Sequence, residues 1–326
     1  MKLVILHNRV EKYTGEDDID ILFQADAVAK ALEEIGHEPI SIDFTLDIID
    51  LMNRLGQVQP DLVFNLADSL QGEGELIHFA PTVLEYMHVP YTGCPAESIF
   101  LTSNKVLAKR VMRLCDIPTP DWITVDKQSD PPVRTSTRFV LKSIWEHASA
   151  GLDIASVVQV EERGELAELL RRKRGGVFAE QYIEGREFNL SLLDGKGETE
   201  VLAPAEMRFF DFPEGMPKIL GYEAKWNQDS EVYRNTRRSF DFGGEDGPLL
   251  GKLTNISKKC WNIFKLNGYA RVDFRVDDNG NPYVLEINSN PCISPESGYV
   301  AAAERSGIDY THMIERIIDR PVGEWG

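Results

Sequence analysis

The chain has 326 residues, of which 42% are hydrophobic and 27% charged, and this length and composition exclude a disordered or fibrous protein. Acidic residues outnumber basic ones, 53 to 35, and the formal charge of -18 argues against nucleic acid as a partner, because a polyanion would be repelled. Single cores seldom grow beyond about 250 to 300 residues, so we expect several packed units.

Cysteine placement and the N-terminal sequence predict a cytoplasmic protein. Cys94, Cys115, Cys260 and Cys292 lie far apart and form no CxxC pair, which argues against a zinc knuckle, a redox dithiol or a disulfide framework. The N-terminus, MKLVILHNRV, has a short apolar run typical of a buried strand and not of a signal peptide. No apolar run approaches the length of a membrane span, so no membrane segment is expected.

The first hundred residues alternate short apolar runs with helical patterns, which predicts a parallel sheet flanked by helices. We predict an amphipathic helix at 20–35 that ends at Gly36. The predicted strands lie at 3–6, 39–42, 62–66 and 89–91.

A second unit begins after the helical segment NKVLAKRVMRLCDI, which Pro118 and Pro120 bring to an end. It is predicted to be α+β, with a helix in EERGELAELLRRK. Its predicted strands lie at 138–142, 156–160, 177–183 and 188–193. Residues 209–247 are rich in Gly, Pro, Asp and Arg and predict a long functional excursion, which a helix at 251–266 follows.

Two segments near the C-terminus, Tyr269–Val276 and Pro282–Asn288, alternate in polarity around DDNGN, so they are predicted to pair as a β-hairpin. Because side chains alternate faces along a strand, each segment divides into an apolar and a polar set. The predicted apolar sets are Val272, Phe274 and Val276, and Tyr283, Leu285 and Ile287. The polar sets are Arg271, Asp273 and Arg275, and Glu286 and Asn288.

The polar face of this hairpin predicts a magnesium site. Asp273, Glu286 and Asn288 offer two carboxylates and an amide oxygen. Magnesium prefers oxygen ligands and keeps positions for water and substrate phosphates. The alternative is a solvated hairpin face, as for most isolated carboxylate pairs. The turn-rich segment VLEINSNPCISPESG favours the site, because it predicts irregular backbone directly against the carboxylates.

The segment GYARVDFRVDDNGNPYVLEINSNPCISPESG resembles the metal and oxyanion segment of the D-alanine–D-alanine ligase group within the ATP-grasp superfamily. The resemblance covers most of the chain, since VFNLADSLQGEGE, VPYTG, SNKVLAKRVM, IPTP, FVLK, VFAEQYIEGREF and GYEAKW follow in the family's order. It implies an ATP-grasp fold of α/β and α+β units. The implied domains are an N-terminal Rossmann-like (preATP-grasp) parallel-sheet domain at 1–102, a small ATP-grasp subdomain at 103–183 and a C-terminal catalytic subdomain at 184–326.

The resemblance also implies roles for single residues. Asp273, Glu286 and Asn288 would hold Mg²⁺, with Mn²⁺ as the alternative ion, against the phosphates of ATP. The implied phosphate contacts are Lys105, Lys142 and Ser149, and the implied nucleoside contacts are Glu180, Gln181 and Ile183 for adenine and Glu187 for ribose. Without the resemblance, each lysine would be taken as a solvated charge and 180–187 as an ordinary strand and turn.

Family members transfer the γ-phosphoryl group of ATP to a carboxylate, and an amine then attacks the acyl phosphate. The resemblance assigns Arg271 to the oxyanion of that second step, whereas its alternative is a simple ion pair with Asp273. It assigns Lys225 and Ser297 to the carboxylate of the second amino acid. It also implies a homodimer that acts on small amino-acid substrates.

The positions for the first substrate depart from the family pattern. Asp17 is the nearest equivalent of the family's ammonium-binding glutamate, Ala148 replaces a serine, and Trp226 replaces an aromatic hydroxyl. Cys292 stands where the family has a glycine N–H facing the oxyanion. We therefore predict an amino-acid ligase whose first substrate differs from D-alanine. The alternatives are an ATP-binding regulatory module that no longer ligates and a kinase that stops at a phosphorylated small carboxylate.

Overall fold

A computed structural model describes residues 1–10, 16–125, 137–145, 152–161, 163–173, 176–195, 197–213, 215–219, 221, 230 and 234–323, and at 16–19 and 163 it describes the backbone alone. The described helices are α1 (Glu16–Glu34), α2 (Ile48–Val58), α3 (Phe79–Tyr86), α4 (Ala96–Ser103), α5 (Lys105–Leu114), α6 (Arg163–Arg172), α7 (Gly247–Ile263), α8 (Gly298–Arg305) and α9 (Tyr310–Ile318). The described strands are β1 (Lys2–Asn8), β2 (Glu38–Phe44), β3 (Leu62–Asn65), β4 (Trp122–Ile123), β5 (Arg138–Ser143), β6 (Val157–Gln159), β7 (Val177–Gln181), β8 (Arg186–Leu193), β9 (Glu200–Val201), β10 (Ala205–Phe209), β11 (Thr236–Ser239), β12 (Tyr269–Val276) and β13 (Pro282–Asn288).

The strands form three sheets in successive stretches of the chain. Their strands lie within residues 2–65, 122–181 and 186–288. The predicted domain boundaries, at 102 and 183, fall between these stretches and stay a prediction. None of the helices in the described ranges combines the length and apolar character that a membrane crossing requires.

The first sheet is parallel, with strand order β2-β1-β3. It confirms the predicted strands at 3–6, 39–42 and 62–66, and α1 confirms the helix at 20–35. Strand β1 is buried along almost its whole length, because helices cover both faces of the sheet, and this explains its unbroken apolar run.

The strand predicted at 89–91 is wrong. Tyr91 forms only isolated bridges, one to Val63 and one to Val322. Pro90 accepts a hydrogen bond from Val63 through its carbonyl but has no N–H to give to a ladder, so the pairing does not extend.

Helices from the far end of the chain complete the first sheet. Helices α8 and α9 pack with α1 over one face of it. The shared core includes Ile5, Val28, Tyr299, Met313 and Ile317, all essentially inaccessible to solvent. Helices α2 and α3 cover the opposite face. The two ends of the sequence therefore share one hydrophobic core.

The second sheet is antiparallel, with strand order β4-β7-β5-β6. Its strands confirm those predicted at 138–142, 156–160 and 177–183, although β7 already ends at Gln181. Helix α6 confirms the predicted helix and packs against the sheet through Leu166 and Leu170.

The third sheet has the order β11-β10-β8-β12-β13, with β9 paired to β8. Strand β8 confirms the strand predicted at 188–193, and α7 covers the apolar face through Leu253, Cys260 and Trp261. Helix α7 begins earlier than the predicted 251, because Pro248 in its first turn needs no N–H partner there. The excursion predicted at 209–247 is described in part and contributes β11 to the sheet edge.

The predicted hairpin is confirmed in its bounds, and one of its predicted faces is partly wrong. A β-bulge after Asp273 shifts the register by one residue. As a result the core residues of β13 are Val284 and Ile287. The predicted apolar positions Tyr283 and Leu285 stay partly exposed, because simple alternation does not hold across the bulge.

Gly185 sits where the chain enters β8, and no side chain fits there. Its φ is +135°, and a Cβ would lie 2.1 Å from the carbonyl oxygen of Val276. We expect Gly185→Ala to lower the free energy of unfolding by about 3 kcal/mol, since backbone strain and overpacking add. Urea unfolding measures this loss.

The control for that substitution is Gly197→Ala. Gly197 has a similar φ of +122° but nothing within 4 Å of a Cβ, so only strain of about 1 kcal/mol is expected. Equal losses for the two variants would show that the contact with Val276 is relieved at no cost.

Candidate functional site

The polar sets of β12 and β13 meet in register. Arg271 lies opposite Asn288, and Asp273 lies directly opposite Glu286. The side chain of Asp273 is 10% exposed and that of Glu286 is 23% exposed, so neither carboxylate points into bulk solvent. The structure thus brings the three predicted metal ligands and the predicted oxyanion residue to one surface.

Arg271 and Asp273 form a two-pronged ion pair. The Nε of Arg271 lies 2.7 Å from Oδ1 of Asp273, and its Nη2 lies 2.8 Å from Oδ2. Asn189 on β8 also donates to Oδ1, at 2.7 Å. Burial lowers the pKa of Arg271, but the Asp273 carboxylate outweighs burial and holds that pKa above its ordinary value. The pairing fixes the position of both charged groups.

Lys105 joins the same surface from the N-terminus of α5. Its Nζ lies 3.7 Å from Oε2 of Glu286. Carboxylates placed directly across neighbouring strands destabilise a sheet. Here each one has a cation beside it: Arg271 for Asp273 and Lys105 for Glu286.

The second sheet carries the predicted nucleotide residues Lys142 and Glu180. Lys142 contacts Oε1 of Glu180, and Lys109 on α5 lies 2.6 Å from Oε2. Burial raises the pKa of Glu180, but Lys109 and Lys142 outweigh burial and bring that pKa below its ordinary value. Burial lowers the pKa of Lys109 to about 8. If Glu180 contacts adenine, it does so from a carboxylate already paired to two lysines.

Sequence reasoning missed Lys109, although a signal for it exists. Lys105, Ala108, Lys109 and Met112 follow the spacing of one helix face, and all four are buried. A lysine at an apolar helical position indicates a buried partner, here the Glu180 carboxylate.

The remaining nucleoside positions lie at the end of β7 and the start of β8. Ile183 is buried, and Gln181 is half-buried, with its N–H donating to the carbonyl of Asp121 at 2.8 Å. The carboxylate of Glu187 lies 2.8 Å from Nη2 of Arg275, and both side chains are buried. Glu187, predicted to bind ribose, is thus held by an arginine from the predicted polar set.

The positions predicted for the amino-acid substrates are described only in part. Ser297 is the N-cap of α8, and its Oγ accepts the N–H of Val300 at 3.3 Å. The hydroxyl hydrogen of Ser297 is not used by this cap. Asp17 lies in α1, and its side chain falls outside the described structure. Residues outside the described ranges altogether are Ser149, Lys225, Ala148 and Trp226.

Helix α1 also contributes a carboxylate that sequence reasoning missed. The thiol of Cys292 lies 3.1 Å from Oδ2 of Asp20, and the hydroxyl of Ser294 donates to the same oxygen at 3.4 Å. Burial, reinforced by Asp20, raises the pKa of Cys292 to about 12, so the thiol is neutral. Helical spacing puts position 17 on the same face of α1 as Asp20, and this spacing is the signal that was available.

Magnesium fits the oxygen set on the third sheet. Within the described ranges, no three His, Cys, Asp or Glu side chains gather as a complete metal site. Magnesium does not need one, because it commonly takes one or two protein carboxylates and completes its shell with substrate phosphates and water. Asp273, Glu286 and the amide of Asn288 have that chemistry, and Asn288 is oriented by a 3.0 Å hydrogen bond from the N–H of Asn290 to its Oδ1.

A parallel N-terminal sheet followed by two antiparallel sheets, one with Lys142 and Glu180 and one with Asp273 and Glu286, defines the ATP-grasp fold. The family described as D-ala D-ala ligase C-terminus matches residues 111–319. The chain therefore belongs to the D-alanine–D-alanine ligase family, whose members are ATP-dependent ligases.

Relatives and solved structures agree with this assignment. An uncharacterized protein of Sinorhizobium fredii is 32% identical over 304 residues, covering 90% of this chain and 86% of its own length. The D-alanine–D-alanine ligase of Aquifex aeolicus is 32% identical over 296 residues, covering 90% of this chain and 92% of its own length.

Two solved structures show the fold. The D-alanine–D-alanine ligase of Bacillus anthracis complexed with ATP has a TM-score of 0.73 at 22% identity, covering 98% of this chain and 96% of that one. D-alanyl-alanine synthetase A of Vibrio cholerae has a TM-score of 0.71 at 18% identity, covering 98% and 97%. The predicted ATP-grasp fold with its N-terminal parallel-sheet domain is confirmed.

Proposed function

We propose that this protein uses ATP to join the carboxylate of one amino acid to the amine of a second, through an acyl phosphate. The observation that carries the proposal is the direct opposition of Asp273 and Glu286 across two strands. Two carboxylates so placed repel each other, so a sheet built for stability alone has no use for them. A divalent cation bound between these carboxylates and the phosphates of ATP would explain why both are present.

The proposed phosphate end of the site contains two lysines, each paired with a carboxylate. Lys105 is next to Glu286 and Lys142 is next to Glu180, so each ammonium group has a defined position. Phosphoryl transfer depends mainly on positioning and charge neutralisation, which such groups supply to the bound ATP. Magnesium, held by Asp273, Glu286 and Asn288, would add Lewis-acid neutralisation of the phosphate oxygens. Ser149 is proposed as a further phosphate contact.

The nucleoside end is proposed to lie along the segment from β7 to β8. Ile183 would form an apolar wall for adenine beside Glu180 and Gln181. Glu187 would accept hydrogen bonds from the ribose hydroxyls. The 2.8 Å contact with Arg275 supports this role, because it holds the carboxylate of Glu187 in a fixed position.

Amide formation requires a group that stabilises the oxyanion when the amine attacks. Asp273 engages Nε and Nη2 of Arg271, so among the residues that the structure describes Nη1 is the group proposed to meet the developing charge. Lys225 and Ser297 are proposed to hold the carboxylate of the second amino acid. The hydroxyl hydrogen of Ser297, which the helix cap does not use, supports that role, because it is able to donate to a carboxylate.

The first substrate is proposed to differ from D-alanine. Asp17, Ala148 and Trp226 do not reproduce the family's first-substrate set. The contact of Asp20 with Cys292 adds a carboxylate near the predicted oxyanion position. A carboxylate at the first-substrate position would favour an amino acid whose side chain donates hydrogen bonds over one with a methyl group.

The test is a screen of ADP release over pairs of D- and L-amino acids, with product mass determined for every active pair. We expect an amide product from a pair other than two D-alanines, and the Aquifex aeolicus ligase with D-alanine is the positive control. Exclusive turnover of D-alanine would contradict the altered specificity. ATP binding without any ADP release would favour a regulatory module, and a phosphorylated product without an amide would favour a kinase.

We also propose that the protein acts in the cytoplasm as a homodimer. The four cysteines are unpaired, which is typical of a reducing compartment and supports the first part. The family resemblance supports the second part, and sedimentation at micromolar concentration tests it.

A further inference from the structure

Lys109, Glu180 and Lys142 form a buried charge cluster at the candidate nucleotide site. One oxygen of Glu180 contacts Lys142, and the other lies 2.6 Å from Nζ of Lys109. Lys109 has 0% of its side chain exposed, whereas Lys142 retains 17%. The carboxylate therefore lies between a fully buried lysine and a partly exposed one.

Stability is a weak explanation for this cluster. Taking a lysine and a glutamate out of water costs several kcal/mol each, and apolar residues of the same volume often serve a core equally well. Such a pair is better explained by a requirement for one fixed arrangement of charges. Lys142, the partly exposed member, is the group whose position is then controlled.

Lys109 also connects the second sheet to the hairpin formed by β12 and β13. Its Nζ donates to Oγ1 of Thr119 at 2.7 Å, and that hydroxyl donates to the carbonyl of Val284 at 2.8 Å. Val284 lies on β13, two residues before Glu286. One turn earlier on α5, Lys105 reaches Glu286 itself. Helix α5 thus touches the proposed nucleotide sheet and the proposed metal strand with lysines from one face.

We propose that Lys109 is a positioning residue for ATP, which acts by holding the Glu180 carboxylate so that its second oxygen fixes the ammonium group of Lys142. The inference rests on the proposed function for its ligand, but it assigns a role to a residue that contacts no substrate. Without Lys109, one buried oxygen of Glu180 lacks its partner. The carboxylate then either turns to Lys142 with both oxygens or takes up a proton, and in each case the ammonium of Lys142 moves.

The experiment is a double-mutant cycle read by calorimetric binding of a non-hydrolysable ATP analogue. Lys109→Met is expected to weaken binding at least about tenfold in the wild-type background and less than about twofold in a Lys142→Met background, because it acts through Lys142. The KM for the amino acids should stay within about twofold. Lys259→Met, which removes an exposed lysine from α7, should leave analogue binding unchanged.

Two results would overturn the proposal. One is unchanged analogue binding in Lys109→Met. The other is a fold-loss of analogue affinity in the double variant that equals the product of the two single-variant losses, because independent effects combine in this way. If Lys109→Met does not fold by thermal unfolding, Lys109→Gln, which keeps a donor, takes its place in the same cycle. Binding does not depend on turnover, so a wild-type protein that binds the analogue without ligating would refute the proposed function and still test Lys109. A wild-type protein that binds no analogue would refute both.

Discussion

Replacing Glu286 with glutamine is expected to lower turnover about a thousandfold, which corresponds to about 4 kcal/mol of transition-state stabilisation, without destabilising the fold. Glutamine keeps the size and one oxygen of the side chain but removes the charge that a divalent ion requires. It also removes a carboxylate opposite Asp273, and relief of that repulsion, worth up to about 1 kcal/mol, offsets the loss of the ion pair to Lys105. Loss of activity without loss of stability is the signature of a charge kept for function.

The measurement combines ADP release over a range of magnesium concentrations with thermal unfolding in the absence of nucleotide. Activity of Glu286→Gln should need far more magnesium, and its melting temperature should lie close to that of the wild type. Glu198→Gln is the matched control, because its carboxylate is 90% exposed. A Glu286→Gln variant with wild-type magnesium dependence would remove Glu286 from the metal site.

Replacing Arg271 with methionine is expected to slow amide formation by about 10² to 10³, or about 2.7 to 4 kcal/mol, and to spare acyl phosphate formation to within about tenfold. The physical reason is that Arg271 would stabilise the oxyanion, whose charge develops only in the second step, when the amine attacks. Hydroxylamine traps the acyl phosphate as a hydroxamate, so hydroxamate and amide yields report the two steps separately.

The ion pair between Arg271 and Asp273 provides the competing explanation. If Arg271 only orients Asp273 for the metal, both steps will fall together and magnesium dependence will shift. Arg271→Lys retains the charge but not the two-pronged geometry, so it should recover little of the lost rate. Arg172→Met, on the exposed surface of α6, controls for the loss of an arginine.

The hairpin was the most predictable part of the site. Alternating polarity and a DDNGN turn gave the bounds of β12 and β13, because both signals are local in sequence. The bulge after Asp273 was not predictable, since it depends on how β13 packs beneath α7. The polar face is nevertheless as predicted, because the bulge lies beyond the Asp273–Glu286 pair and leaves these two residues opposite each other.

Contacts between distant residues set the limit of sequence reasoning. Asp20 and Cys292 are in contact although 272 positions separate them in the chain, and Lys109 on α5 pairs with Glu180 on a strand of the second sheet. Helical spacing can assign Asp20 and Lys109 to particular helix faces, but no local pattern identifies what each face packs against. The resemblance supplied roles for Lys142 and Glu180 and no role for Lys109, whose partner is identified only in the folded chain.

The core shared by α1, α8 and α9 has a consequence for how the protein is made. During synthesis, the apolar surfaces of Ile5 and Val28 emerge long before Met313 and Ile317, which cover them. The first sheet is therefore expected to stay incompletely covered, and to need protection from aggregation, until the last helices leave the ribosome. The segment that carries Cys292 and Ser294 directly precedes α8, so we expect this core and this part of the candidate site to form together, late in synthesis.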